Sequence, residues 1–274
     1  MPAPQPTNLP IPLTSGLLSG LASSRPIFLF LDYDGTISEI NPIPANATPV
    51  SGAREIIQRI SAHRDRIRVA IVSGREIDEV QRLSLLQDNL MFVGAHGLEI
   101  MEGNGQRWIV TDVKEFMPDL TAVREWLRET VPPNSGFIVE DKHIAIALHY
   151  RNAPPELIAK LRQDLENFVS SNTRLAMRSG KMVLEVIPPE AGKGFAVSFL
   201  LQRAEGDPIP VYFGDDTTDE DAFFALRRNG ITVLVSPNPR PTWARYYVQN
   251  PTQVIEALSE LLLELEPEPA TPAN

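Results

Sequence analysis

The sequence contains no cysteine, which excludes disulfides, thiolate metal ligands and thiol nucleophiles and suits a reducing compartment. Chemistry must come from carboxylates, hydroxyls or bases. Basic residues are in deficit: 25 Lys and Arg face 35 Asp and Glu, a formal net charge of −10, so general attraction to nucleic acid or an anionic membrane is disfavoured. An anionic ligand needs locally placed cations. The features of a secretory leader are missing too, because the first basic residue is Arg25 and the stretch 11–22 is interrupted by Pro12, Thr14, Ser15 and Ser19; that stretch is also too short and broken to span a bilayer. We expect a cytoplasmic protein without nucleic-acid or membrane partners.

What is present is a chain of 274 residues, 43% hydrophobic, long enough for two packed modules of different size. No internal repeat organises it. Residues 1–25 open with Pro2, Pro4, Pro6, Pro10 and Pro12, and residues 266–274 close the chain with a second proline-rich stretch; both are expected to be disordered tails. Between them an apolar run over 27–31 ends at Asp32, helical spacing covers 50–62, and another apolar run over 68–72 ends at Ser73, the βαβ rhythm of a parallel sheet. From 98 to 187 the pattern becomes hairpins about Gly103-Asn104-Gly105, between 137–140 and 144–150, and about Ser179 and Gly180. Two helices accompany them, at about 115–130 and around Leu157, Leu161, Leu165 and Phe168. After Pro188 and Pro189 the βα alternation returns with a helix over 193–204, a strand over 211–213 ending near Asp215, and a strand over 231–235. The expected fold is therefore α/β with an α+β module inserted.

Phe28-Leu29-Phe30-Leu31-Asp32-Tyr33-Asp34-Gly35-Thr36 places two carboxylates two residues apart where a buried strand ends, the edge at which open α/β sheets bind ligands. Period two sends both side chains the same way, and Gly35 lets the backbone turn close to a ligand. A second acidic cluster, Gly214-Asp215-Asp216-Thr217-Thr218-Asp219-Glu220-Asp221, follows another apolar strand. Such massed carboxylates call for a cation, and a hard one with oxygen ligands, Mg²⁺ above all, suits phosphate chemistry. Residues Thr218 to Asp221 equally suit the capping of the following helix. Ser73-Gly74-Arg75 offers a hydroxyl and main-chain donors for a phosphoryl oxygen, or a plain helix cap. Lys193, in Ala191-Gly192-Lys193-Gly194, is either a charge-neutralising lysine or a solvated helix-start residue.

Taken in chain order (32–36, 73–75, 191–194 and 214–221), these four motifs resemble those of the haloacid dehalogenase (HAD) superfamily of phosphatases. More specific strings are similar to its trehalose-phosphatase branch: Gly94-Ala95-His96-Gly97-Leu98-Glu99, His149-Tyr150-Arg151, Gly180-Lys181-Met182-Val183-Leu184-Glu185, and the acidic cluster with Phe213 before it. Only Ile37 departs, standing where leucine is common. The resemblance implies a HAD-like Rossmannoid core over 26–98 and 189–265, its parallel sheet flanked by helices, and an inserted α+β cap domain over 99–188. It implies Asp32 as the nucleophile that forms an aspartyl-phosphate, Asp34 as acid and then base, and Lys193 and Ser73 in catalysis. The same resemblance makes Asp32, the carbonyl of Asp34 and Asp215 the Mg²⁺ ligands, with Asp216 and Asp219 one layer out, orienting waters or Lys193.

The implied reaction is hydrolysis of trehalose 6-phosphate to trehalose and phosphate, closing trehalose biosynthesis. The small-molecule substrate is a phosphorylated disaccharide, held through Ser73, Gly74, Arg75, His96, Glu140, Lys142, Lys181 and Glu185. At this length the chain leaves no room for a synthase module, so pairing with a separate trehalose-phosphate synthase is expected. Other sugar phosphates, such as sucrose phosphate, glucosylglycerol phosphate or mannosyl phosphoglycerate, are the nearest alternatives, and a catalytically silent sugar-phosphate sensor is the alternative of another class. Within the cap, Lys181 and Glu185 either share one hairpin face toward the sugar or form a surface ion pair, and Glu140 and Lys142 either meet the sugar or are plain hairpin residues. His96 shapes the core–cap junction or bonds locally, and Arg151 and Arg178 approach the site or solvate the cap.

Overall fold

A computed structural model describes residues 6–22, 24–87, 89–109, 113–142, 145–180, 182–189 and 191–266. In chain order the elements begin with β1 (Ile11–Pro12), α1 (Leu17–Ala22), β2 (Ile27–Asp32), α2 (Ala53–Ala62), β3 (Ile67–Val72), α3 (Ile77–Ser84) and β4 (Leu90–Gly94). Then come β5 (Glu99–Met101), β6 (Arg107–Ile109), α4 (Met117–Thr130), β7 (Ile138–Asp141), β8 (Ile146–His149), α5 (Pro155–Asn172), β9 (Ala176–Gly180) and β10 (Val183–Ile187). The chain closes with α6 (Lys193–Arg203), β11 (Ile209–Gly214), α7 (Glu220–Leu226), β12 (Ile231–Val235), β13 (Tyr246–Val248) and α8 (Pro251–Leu265).

The larger unit is built on a sheet of order β1-β13-β12-β11-β2-β3-β4-β5-β6. Every pairing from β1 to β4 is parallel, and only β4–β5 and β5–β6 are antiparallel. Strand β2 is buried along its whole length because helices cover both faces of a parallel sheet. Alternation sorts its side chains: Ile27, Leu29 and Leu31 pack with Ile57, Val80 and Leu258 of α2, α3 and α8. Phe28 and Phe30 pack with Ala196, Val197 and Phe223 of α6 and α7. Asp32 continues the second series, so it emerges on the α6 side. The chain steps from β2 to β3 and β4 in one direction and from β11 to β12 and β13 in the other. This reversal opens the crevice in which doubly wound sheets bind ligands.

The smaller unit holds the antiparallel sheet β7-β8-β10-β9 with α4 and α5 on one face. Ile146, Leu148, Leu184 and Val186 turn toward Leu120, Val123, Leu161 and Leu165 of those helices. The same alternation turns Ala147 and Glu185 to the opposite face, where both are nevertheless buried.

Two expectations need correction. The hairpin β5–β6 falls in the range 99–188 assigned to the inserted module, yet it extends the larger sheet. Phe92 pairs with Met101 and Val93 with Ile100, and both partners are buried, so the pairing covers an otherwise open edge at β4. Part of the expected tail 1–25 is also built into the fold. Ile11 pairs with Tyr246, Leu18 is buried against the α8 side of the core, and Glu260 accepts hydrogen bonds from the Ser15 hydroxyl and the Gly16 N–H. Proline is tolerated there because β1 is an edge strand. Residues 1–5 and 267–274 lie outside the described residues. Among the described residues no helix is long and apolar enough to cross a membrane.

Candidate active site

Asp32, the last residue of β2, meets Lys193, the first residue of α6: Nζ donates to Asp32 Oδ1 at 2.6 Å and to Asp219 Oδ1 at 2.8 Å. All three side chains are buried. Asp219 also accepts from the Tyr212 hydroxyl at 2.7 Å and from the N–H groups of Asp215 and Asp216, both at 3.0 Å. Capping and a contact with Lys193, open alternatives for this residue in the sequence, therefore coexist. Asp216 and Asp219 form a reciprocal capping box over the turn 217–219, and Asp219 grips the lysine as well. Asp216 itself accepts from the Thr217 N–H at 2.6 Å.

Carboxylate oxygens of Asp32, Asp215 and Asp219 lie within 4.8 Å of one another, with one ammonium between two of them. Burial, joined by the charges of Asp219 and Asp215, pushes the Asp32 carboxyl well above the ordinary range against the opposing pull of Lys193. Burial acts to lower Lys193, but Asp219 and Asp32 more than offset it and hold the ammonium charged. The three carboxylates are hard oxygen donors gathered about a single ammonium. That set fits a divalent hard cation, which would favour the ionised form of Asp32. Gly35, at φ +84°, has its missing side chain's space filled by the Asp215 carboxylate; both its conformation and this approach require glycine.

Both oxygens of Asp34 are held by one guanidinium: Arg75 Nε donates to Oδ2 at 2.7 Å and Nη2 to Oδ1 at 2.8 Å, a bidentate, charge-assisted pair. Arg75 also pairs with Glu79 and lies over the Tyr33 ring. The donors expected to hold phosphate around Ser73 are partly committed. The Ser73 N–H bonds the Val93 carbonyl at 2.8 Å, and the Ser73 hydroxyl accepts from the Arg75 N–H at 3.1 Å. Gly74 is covered by the His96 ring, which occupies the space a side chain there would need.

Glu185 is the meeting point of the two units. It is buried and accepts from Lys142 Nζ at 2.9 Å and pairs with His96 Nε2 at 2.7 Å. Burial opposes its ionisation, but these partners overcome it and hold the carboxyl down at about 2. His96 reaches it from a left-handed backbone, φ +55°, following Ala95 at φ +47°, a strained pair of non-glycine residues of the kind found at functional sites. Glu140 stands apart, exposed on β7 and bonded to His149 Nε2 at 2.8 Å. Lys181 lies outside the described residues.

Two supports carried no recognisable sequence signal of their role. Tyr212, whose hydroxyl anchors Asp219, sits within an apolar strand and reads simply as core. Glu220 accepts from Arg240 at 2.9 Å, from the Thr242 hydroxyl at 2.8 Å and from the Trp243 N–H at 2.8 Å, while Arg240 Nη2 donates to the Asp215 carbonyl at 3.2 Å. That brace spans more than twenty residues of sequence, beyond the reach of any local pattern.

The sequence model of the trehalose-phosphatase family matches residues 30–252. Trehalose-phosphate phosphatase B of Arabidopsis thaliana is 34% identical over 258 residues, which cover 88% of this chain and 67% of that protein. Among solved structures, the C-terminal domain of Candida albicans trehalose-6-phosphate phosphatase superposes with a TM-score of 0.77 at 26% identity, covering 93% of this chain and 99% of that one. Aspergillus fumigatus trehalose-6-phosphate phosphatase gives 0.70 at 26% identity, covering 92% and 98%. With its strand order, its inserted α+β unit and a family match running across both acidic motifs, the chain belongs to the trehalose-phosphatase family.

Proposed function

We propose that this chain hydrolyses trehalose 6-phosphate to trehalose and inorganic phosphate, with Asp32 as the nucleophile. The observation that carries this reading is the buried Asp32–Lys193–Asp219 cluster joined by Asp215 at the crevice of the sheet. A buried carboxylate held beside a lysine ammonium suits a nucleophile whose phosphoryl charge that ammonium can receive. Membership of the family and the names of the relatives supply the substrate.

Asp32 and Asp215 would supply the carboxylates for Mg²⁺, with the Asp34 carbonyl as the additional ligand the family resemblance implies, while Asp219, whose oxygens accept from Lys193, Tyr212 and the Asp215 and Asp216 N–H groups, would stand one layer out. When bound, the ion neutralises phosphoryl oxygens and the surplus carboxylate charge. Lys193 holds charge between nucleophile and phosphate. An Asp32 oxygen attacks phosphorus as the bond to the sugar oxygen breaks, and Asp34 delivers a proton to that oxygen. Water, giving its proton to Asp34, then attacks the same phosphorus and releases Asp32 and phosphate. Asp34 must leave the Arg75 fork to carry this proton, so Arg75 restrains it between turnovers.

The smaller unit is the cap. Glu185, Lys142 and His96 line the seam where the sugar would enter, with Glu140 and Lys181 as further sugar contacts. Buried, fixed donors and acceptors discriminate among polyols because a mismatched group is left without a partner. A separate trehalose-phosphate synthase would supply the substrate.

Phosphate release by the purified protein with Mg²⁺ tests the reading, across trehalose 6-phosphate, sucrose 6-phosphate, glucosylglycerol phosphate, mannosyl phosphoglycerate and glucose 6-phosphate. A strong preference for trehalose 6-phosphate is expected. Preference for another member would overturn the substrate, and no release from any would overturn the activity.

A further inference from the structure

Arg178 lies on β9, the edge strand of the cap sheet, and the cycle above does not use it. Its guanidinium reaches across the seam. Nη1 pairs with Asp221 in the first turn of α7, and Nη2 donates to the carbonyl of Ala191 at 2.6 Å. Beside it, the Thr217 hydroxyl of the acidic loop donates to the Ser179 carbonyl of β9 at 3.2 Å. One side chain thus ties together the cap sheet, the connector 188–192 and the start of α7.

The connector matters because it delivers Lys193. Ala191 stands two residues before the lysine, and the turn there is closed by the Ala191 N–H on the Pro188 carbonyl at 2.9 Å. That bond lies within the connector and fastens it to neither unit. Gly192 passes close under the guanidinium: a Cβ built on it would stand 3.0 Å from Arg178 Nη2. Among the described residues, Arg178 Nε is buried without a hydrogen-bond partner, a cost offset where the other nitrogens are held in fixed geometry. A planar fork with two partners sets direction as well as distance, which a lysine cannot do.

We infer that Arg178 is a positioning residue for Lys193: by clamping the Ala191 carbonyl against α7 it sets where the ammonium stands between Asp32 and Asp219. The inference rests on the function proposed above. It makes a cap residue serve the chemical step, so its removal harms every phosphate ester alike, whether or not the ester carries a sugar that the cap recognises. A displacement of the ammonium by ~1 Å is enough to cost up to about a hundredfold in rate.

The test compares kcat and KM of the wild type, Arg178→Ala, Arg178→Lys and Asp221→Asn, with Mg²⁺, on trehalose 6-phosphate and on p-nitrophenyl phosphate. Arg178→Ala is expected to lower kcat about tenfold or more on both esters by the same factor, with KM for trehalose 6-phosphate within about twofold. Asp221→Asn, which frees the arginine from the other side, should show a smaller loss of the same pattern, and Arg178→Lys should recover little. Millimolar guanidinium should partly restore Arg178→Ala, since a cavity of about 330 Å³ lined by Pro189, Gly192, Phe195 and Asp221 opens beside the arginine. A loss confined to trehalose 6-phosphate, or carried by KM, would overturn the inference, as would unchanged kcat. If Arg178→Ala fails to fold by circular dichroism, the Asp221→Asn ratio between the two esters decides in the same way. Wild-type protein inactive on both esters would instead refute the proposed function, and the inference with it.

Discussion

Asp32 in the core and Glu185 in the cap are equally buried, each 3% exposed, yet their surroundings drive them in opposite directions. Asp32 shares one ammonium with Asp219 and faces Asp215 as well, and its carboxyl is pushed up. Glu185 has the Lys142 ammonium and the His96 ring to itself and is held down at about 2. Desolvation is common to both, so the count of like charges decides. The core cluster gathers three carboxylates about one ammonium, whereas the cap cluster sets one carboxylate against an ammonium and an imidazole. Chemistry should therefore depend on a cation and recognition should not.

Removing the carboxylate that the core cluster exists to serve has the largest expected effect. Asp32→Asn should fold, because it relieves repulsion from Asp215 and Asp219, yet lose at least about 10⁴-fold in kcat; circular dichroism and phosphate release check both halves. Substantial residual turnover would remove Asp32 from the role of nucleophile.

Lys193→Met inverts the manipulation by leaving the carboxylates without their ammonium. Breaking a buried pair in this way costs about 3–5 kcal/mol, to be read from urea denaturation without metal. Mg²⁺ should recover part of that loss, and an unaltered denaturation midpoint would contradict the charge count.

The cap should show the reverse sensitivity to acid. Glu185 titrates lower folded than its ordinary value of 4.5, so the stability it contributes is full above that value. It is lost as pH falls toward about 2, to a total of roughly 3 kcal/mol. Denaturation of wild type and Glu185→Gln between pH 5 and pH 3 should converge as pH falls. Parallel curves would show that Glu185 is not held in the ionised form by its partners.

The two regions were not equally legible in the sequence. Asp32 and Asp34 could be placed because a strand's alternation and its end are local properties, whereas Lys193 at its helix start read equally as a solvated residue until the order of the motifs gave it a role by resemblance. Asp219 stayed ambiguous since the residues that cap a helix are those that grip a lysine. In the cap, alternation separates Leu184 and Val186 from Glu185, but it does not say what covers the second face. His96, nearly ninety residues earlier in the chain, supplies that cover, and Glu185 is consequently buried where a hairpin residue reads as exposed. The β5–β6 hairpin went to the wrong unit for a similar reason: its turn is written in Gly103 and Gly105, whereas the sheet edge that accepts it is set by β4. Arg178 was undecided because its partners, Asp221 and the Ala191 carbonyl, become neighbours only when the cap folds back onto α7.

The division of labour between core and cap is tested most directly by the ratio of kcat/KM for trehalose 6-phosphate to that for p-nitrophenyl phosphate, in wild type and in Glu185→Gln. The ratio should fall by about a hundredfold in the variant, through trehalose 6-phosphate alone, the scale expected when a buried partner for a substrate hydroxyl is lost. An equal loss on both esters would place Glu185 in the chemistry and contradict the account.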